Sequence, residues 1–191
     1  MENHDVRQVT DSRVLAAMAH PLRRRLMDVL KVHGPSTVGQ LAERTGQAPA
    51  NVSHHLKVLA GAELVAEAPD LARDRRERWW QLVNRGLRWS NSDFDSDPAG
   101  RAVADAATSL NLDRHVSLAR AWHATDEATQ AEWDDGPFST DRWLHLTPEE
   151  LAELGREVID LLARWADRDV PDDGRDRKPV FVFAYGVPAR P

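Results

Sequence analysis

The stretch TVGQLAERTGQAPANVSHHLKVLAGAEL, residues 37–64, decides the fold of this chain. It predicts two short helices joined by a tight turn, since Gly46 is a typical residue at the end of a helix. In the second helix Val52, Leu56 and Leu59 recur at helical spacing and form an apolar stripe. Two helices in this order, the second with one apolar and one polar side, are the pattern of a helix-turn-helix.

The polar side of the second helix carries the candidate DNA-reading residues. At 100° per residue, His54 points away from the apolar stripe, whereas His55 lies about 60° from its centre and borders the core. Histidine and asparagine can bond base edges, serine a base or a phosphate, and lysine a guanine edge or a phosphate. The predicted contacts are Ala50, Asn51, Ser53, His54 and Lys57. Taken alone, this face could equally be an ordinary solvated helix surface.

An arginine-rich hairpin follows. Residues 64–68 and 77–83 predict two strands, because aromatic and β-branched residues such as Trp79, Trp80 and Val83 favour strands. At a hairpin tip, arginines can straddle phosphates or enter the minor groove. The predicted contacts here are Arg73, Arg75, Arg76 and Arg78. A helix-turn-helix followed by a basic hairpin is a winged helix.

The charge of the chain is divided unevenly. The net charge is −6 over 191 residues. Residues 1–90 hold 14 Lys or Arg against 10 Asp or Glu, and residues 91–191 hold 11 against 21. Affinity for DNA depends on the local cationic face, so the first part can bind DNA if the acidic part points away from the duplex. The uneven charge predicts two regions with different roles.

The resemblance to a known family rests on four segments. HPLRRRLMDVL, TVGQLAERTG, NVSHHLKVLAGAELV and RRERWWQLV resemble the ArsR-type winged-helix regulators in order, spacing and residue type. The similar part covers residues 11–88 and leaves the C-terminal extension unassigned. The resemblance implies a homodimer built from the first helix and the helices after the wing. It also implies a repressor that a ligand releases from DNA.

The expected fold is mainly α with small β: a winged helix in residues 1–90 and a helical domain in residues 99–191. The acidic segment 90–98 is the predicted boundary, and a helix is expected to begin near residue 85. Helices are expected over 99–110, 112–132 and 147–168. A short two-stranded sheet is predicted from residues 142–146 and 179–185.

The C-terminal part is rich in large aromatic side chains. These residues could simply fill the core of a small domain. They could instead line a pocket for an apolar effector, since flat aromatic walls suit such ligands. The candidate pocket residues are Trp122, Trp133, Trp143 and Trp165.

Other functions have little support in the sequence. The chain has no GxSxG, GxGxxG or phosphate-binding GxxxxGK motif, so no enzyme is predicted. It has no cysteine, and we expect no metal or other cofactor. No signal peptide or membrane-length apolar run is present, and the cytoplasm is the expected location. The prediction is a sequence-specific DNA-binding regulator; the alternative is a winged helix used for protein interaction or oligomerisation.

Overall fold

A computed structural model of the chain describes residues 6–74 and 77–191. Its helices are α1 (Ser12–Met18), α2 (Pro21–His33), α3 (Val38–Thr45), α4 (Pro49–Gly61), α5 (Pro98–His123), α6 (Glu127–Ala131) and α7 (Pro148–Ala166). Its strands are β1 (Val6–Gln8), β2 (Ser36–Thr37), β3 (Val65–Glu67), β4 (Trp79–Leu82) and β5 (Gly86–Arg88). The predicted class, mainly helical with small β-structure, is confirmed.

The core of the winged helix lies among α1 to α4. One leucine from each helix, Leu15, Leu26, Leu41 and Leu56, has no exposed surface. Each occupies a position on the inner face of its helix, where the 3.6-residue period places it. Truncating a leucine of this kind to alanine costs about 2–5 kcal/mol, because the site cannot collapse fully around the cavity.

Both ends of α3 are fixed by specific residues. The backbone N–H of Gln40 donates to Thr37 Oγ1 at 3.3 Å, and the backbone N–H of Thr37 donates to Gln40 Oε1 at 2.9 Å. This reciprocal capping box makes Thr37 the N-cap of α3. At the other end Gly46 adopts a left-handed φ of 66°, which reverses the chain towards α4.

The wing is an antiparallel sheet in which β4 lies between β2 and β3. Val65 pairs with Leu82 and Glu67 with Trp80, while Ser36 of β2 pairs with Trp80 from the other side. The predicted hairpin strands are confirmed. Trp80 is buried, so the base of the wing is fixed to the core by its indole ring.

The expected helix near residue 85 is wrong. That segment forms β5, which pairs in parallel with β1, with Val6 opposite Gly86. A Cβ atom at Gly86 would lie 2.9 Å from a methyl carbon of Val6, so a larger residue here would require the Val6 side chain or the strand to shift. The partner strand lies about 80 residues earlier in the chain, and no local pattern reports such a pairing.

The chain divides into two compact units, one ending at Arg114 and the other comprising His115–Pro191. The division falls within α5, later than the expected boundary at residues 90–98. Phe94, Ala104 and Ala107 are buried in the core of the first unit, which explains the difference. Arg114 closes this unit by donating from Nε to Asp28 of α2 at 3.0 Å.

The second unit contains helical segments but not the expected sheet. Residues 142–146 and 179–185 form no strand, so this part of the prediction is wrong. Phe181 and Phe183 stack on each other with ring centroids 5.9 Å apart, and both contact the ring of His115. The apolar run therefore packs through its rings and not through a backbone ladder. No helix within residues 6–74 and 77–191 is both long and apolar enough to cross a bilayer.

Candidate DNA-binding interface

The structure places the predicted base-reading residues on one side of α4. We call Ala50, Asn51, Ser53, His54 and Lys57 the recognition surface. Four of its residues are exposed and Ser53 is half-buried. Val52, Leu56 and Leu59 on the other side have no exposed surface. The helix therefore presents a continuous polar surface while its apolar side fixes it to α1, α2 and α3.

One residue of the recognition surface is already oriented by a neighbour. Asn51 Nδ2 donates to Oε1 of Gln47, in the turn before α4, at 3.0 Å. A primary amide carries two N–H donors, so this bond leaves one donor and the carbonyl oxygen for another partner. Asn51 is therefore held in place while it keeps hydrogen-bonding capacity.

His55 occupies the inner side of the same helix. It is 8% exposed, and its ring lies 4.4 Å from the ring of His20, measured between centroids. Its Nδ1 atom is buried without a hydrogen-bond partner. Burial lowers the pKa of His55, and the nearby His20, Arg23 and His54 lower it further. Burial and the neighbouring cations therefore both disfavour the charged form of this imidazole.

Of the four arginines that were predicted to contact DNA from the wing, the structure describes Arg73 and Arg78. Arg73 and Arg78 are exposed, but Arg78 Nη1 forms an ion pair of 3.3 Å with Glu67 on the neighbouring strand. The backbone N–H of Arg73 donates to Glu77 Oε2 at 3.0 Å, and this bond lowers the pKa of Glu77. Arg75 and Arg76 lie outside the described residues. Both described arginines of the hairpin are therefore exposed, and Arg78 is also held by an ion pair.

The arginine cluster at the start of α2 is divided in its roles. Arg23 is half-buried, and its guanidinium donates to the carbonyl oxygens of Ala16 and Ala17. It therefore closes the end of α1. Arg25 is exposed and makes one long hydrogen bond, 3.4 Å, to the carbonyl of Arg44.

The predicted aromatic pocket residues are spread over the second unit. Trp122 and Trp133 are half-buried, whereas Trp143 is 65% and Trp165 60% exposed. The guanidinium of Arg168 lies 4.8 Å from the centre of the Trp165 ring. Among residues 115–191, all of them described, we find no ring contact that joins two of these four tryptophans. An effector pocket at these residues stays a prediction.

A cavity of about 440 Å³ lies beside α4, and no pattern in the sequence predicted it. His20 and Arg25 border it on the α2 side, and Gln47, Asn51 and His55 on the α4 side. Of the residues that line it, only His20 has a position with a recognisable role in the sequence. It precedes Pro21, and a polar residue before a proline in the first turn is typical of a helix N-cap. His20 Nδ1 does accept from the backbone N–H of Leu22, at 3.1 Å. Within the described residues, no three His, Asp or Glu side chains are placed to hold a metal ion.

Comparison with known proteins points to one functional class. The family described as a helix-turn-helix domain matches residues 18–68. The transcriptional repressor SdpR of Bacillus subtilis is 37% identical over 54 residues, which are 28% of this chain and 59% of SdpR. The HTH-type transcriptional regulator Rv2034 of Mycobacterium tuberculosis is 39% identical over 83 residues, 44% of this chain and 73% of the relative. The family match lies inside residues 11–88, so the interpretation of that stretch as a helix-turn-helix is confirmed.

One solved structure among the similar ones is NolR from Sinorhizobium fredii. It is 28% identical, covers 47% of this chain and 79% of its own, and superposes with a TM-score of 0.34. A score this low adds nothing to the sequence matches. The C-terminal extension is not accounted for by the helix-turn-helix family, whose match ends at residue 68.

Proposed function

The chain belongs to the helix-turn-helix transcriptional regulators, and we propose that it binds a specific operator as a homodimer and represses transcription. The observation that carries the proposal is the recognition surface, a polar and exposed face on a helix whose opposite side is completely buried. A helix of this kind can enter the major groove and bring side chains to base edges. Repression is inferred from the similarity to SdpR, which is named as a transcriptional repressor.

Within this proposal the wing supplies backbone contacts. Arg73 is exposed in the loop between β3 and β4, and a guanidinium there can pair with phosphate or enter the minor groove. We also propose Arg75, Arg76 and Arg78 as DNA contacts, on the basis of the sequence alone. The ion pair of Arg78 with Glu67 suggests that its contribution is smaller.

Three further parts of the proposal come from the family resemblance. A dimer fits a two-fold operator, since a twofold-symmetric protein reads two half-sites. Release of DNA by a small ligand is proposed without an identified ligand. Action on chromosomal DNA places the protein in the cytoplasm. The named relatives are transcriptional regulators, which supports a role without catalysis.

Fluorescence anisotropy tests the proposal directly. The full chain is titrated into a labelled duplex from upstream of its own gene and into a scrambled duplex, at several salt concentrations. We expect salt-dependent binding that prefers the upstream duplex. His54→Ala is expected to remove about 1–3 kcal/mol of that preference. Arg73→Ala is expected to weaken binding to both duplexes by the same factor.

The matched control is His145→Ala, an exposed histidine in the acidic part of the chain. It is expected to bind like the parent. Equal and weak binding to both duplexes, unchanged by His54→Ala, would contradict operator recognition at this surface. The winged helix would then be better explained as a protein-interaction module.

A further inference from the structure

The cavity beside α4 has an unusual wall. His55 lines it, is 8% exposed, and keeps Nδ1 buried without a hydrogen-bond partner. Buried polar atoms in folded proteins are nearly always satisfied, so an orphaned ring nitrogen in a residue that lines a cavity of this volume points to a missing partner. The His20 ring, 4.4 Å away, covers one side of the imidazole, and its own Nδ1 is used by Leu22.

The polar side chains that line the cavity are those of one arginine, two histidines and two amide residues. Arg25 brings a guanidinium, and Asn51 has one amide N–H that its bond to Gln47 leaves over. The described residues that line the cavity include no carboxylate. The first turn of α2 also borders it, and the N-terminal end of a helix attracts negative charge. A metal cation would meet repulsion here, whereas an anion with several oxygen atoms would meet donors from both sides.

We propose that this cavity is a phosphate site, in which Arg25, Asn51 and His55 donate to the oxygens of one phosphate group. Phosphate is favoured over a planar carboxylate because the donors come from two different helices, and tetrahedral oxygens can meet both. Guanidinium groups and helix N-termini are both typical phosphate partners.

The phosphate can come from DNA or from solution. Asn51 belongs both to the recognition surface and to the cavity wall, so a backbone phosphate next to the contacted bases would reach the site. This source rests on the proposed function. Free phosphate or a small phosphate ester would occupy the same donors without DNA, and its binding does not depend on that proposal.

The first experiment needs no DNA. Imidazole nitrogen resonances are followed by NMR while inorganic phosphate replaces chloride at constant ionic strength and pH. The His55 resonance is assigned as the one that is missing from the spectrum of the His55→Gln variant. We expect a saturable shift of the His55 ring. Arg25→Gln should weaken phosphate binding about tenfold, because it removes the charged donor. Arg88→Gln, which removes an exposed arginine of β5, should leave it unchanged.

The second experiment repeats the measurement with operator duplex and adds the salt dependence of binding. If a DNA phosphate occupies the cavity, the His55 ring shifts with DNA, and Arg25→Gln lowers the salt slope by about 0.9, the value for one phosphate contact. Arg88→Gln is expected to keep the parent slope. A shift with free phosphate alone, with the slope unchanged in Arg25→Gln, assigns the site to a soluble phosphate compound.

A His55 ring that responds to neither phosphate nor DNA would overturn the proposal. A parent chain that binds no duplex would contradict the proposed function instead, and the phosphate titration would still decide the cavity. Because Arg25 is exposed, its variant tests the site without disturbing the core.

Discussion

His54 and His55 are adjacent in the chain but face opposite sides of α4, because successive helical residues lie 100° apart. His54 is exposed on the recognition surface, and His55 is buried against His20. The apolar stripe of α4 is enough to predict which histidine points outward. It cannot predict the partner of His55, since His20 lies 35 residues earlier and reaches α4 only when α2 packs against it.

The buried position of His55 gives stability a pH dependence. Its pKa in the folded chain is lowered from the ordinary value of 6.5, mainly by burial. Below pH 6.5 the unfolded chain therefore binds this proton before the folded chain does. The free energy of unfolding should fall as the pH drops from 6.5 towards the lowered pKa, with a slope of up to about 1.4 kcal/mol per pH unit.

Urea unfolding at a series of pH values measures this slope. His55→Gln should reduce it, whatever the variant does to stability at neutral pH. His33→Gln, which replaces an exposed histidine at the end of α2, should keep the parent slope. Identical slopes in the parent and in His55→Gln would show that His55 is not the group responsible.

At the level of single elements, the capping box of α3 is the first feature with a measurable energy. Thr37→Ala removes the hydroxyl that accepts from Gln40 and should lower the free energy of unfolding by about 1 kcal/mol. Thr37→Ser keeps the acceptor and should lose less than half of that. Thr10→Ala, an exposed threonine before α1, is the control. The chemical denaturation midpoints of the four proteins test this. Equal midpoints for the parent and Thr37→Ala would show that the Thr37 hydroxyl does not stabilise α3.

Two glycines next to the recognition helix make a matched pair. A Cβ atom at Gly46 or at Gly61 would meet nothing within 4 Å, so neither substitution creates a clash. Gly46 has a φ of 66°, whereas Gly61 closes α4 in helical conformation. Gly46→Ala should cost about 1–2 kcal/mol, because L-residues are strained in the left-handed region. Gly61→Ala should be neutral or stabilising by up to about 1 kcal/mol.

Both effects are read from the thermal unfolding of the variants. If the two substitutions changed stability equally, backbone conformation would not be the cause. Gly46→Ala should also weaken DNA binding, since it disturbs the turn that aims α4, and Gly61→Ala should not.

The elements of the winged helix could be predicted because their signals are local. The helix end at Gly46 and the spacing of Val52, Leu56 and Leu59 each depend on only a few neighbouring residues. The pairing of β1 with β5 and the packing of His20 on His55 join distant segments, and no local pattern contains them. In the second unit, the apolar run at residues 179–185 predicted a strand, but the rings of Phe181 and Phe183 contact the ring of His115 and the segment forms no strand.

At the scale of the whole chain, the two units differ in how they are built. Among the described residues, all the buried ones lie in the first unit, and residues 115–191 contribute none. The second unit also carries most of the acidic excess. Leu154, Leu161 and Trp165, which lie on one face of α7, are each at least 37% exposed. Contiguous apolar surface of this kind is rare on monomeric proteins and marks an interaction site.

The proposed homodimer gives these side chains a partner, since the helices after the wing were expected to form its interface. Light scattering at micromolar concentration should give about twice the chain mass of 21.5 kDa. Tenfold dilution should lower the melting temperature by about 2 °C, because a dimer that unfolds to monomers is stabilised by mass action.

Leu161→Arg tests the contribution of α7 to that dimer. A charge in the centre of the apolar face should favour the monomer, while Asp160→Asn, a neighbouring exposed position, should not. If Leu161→Arg stayed dimeric with the parent's concentration dependence, α7 would not contribute to the interface. A parent mass of a single chain, with a melting temperature independent of concentration, would rule out the dimer itself, and recognition of a two-fold operator would then require the two copies to meet only on DNA.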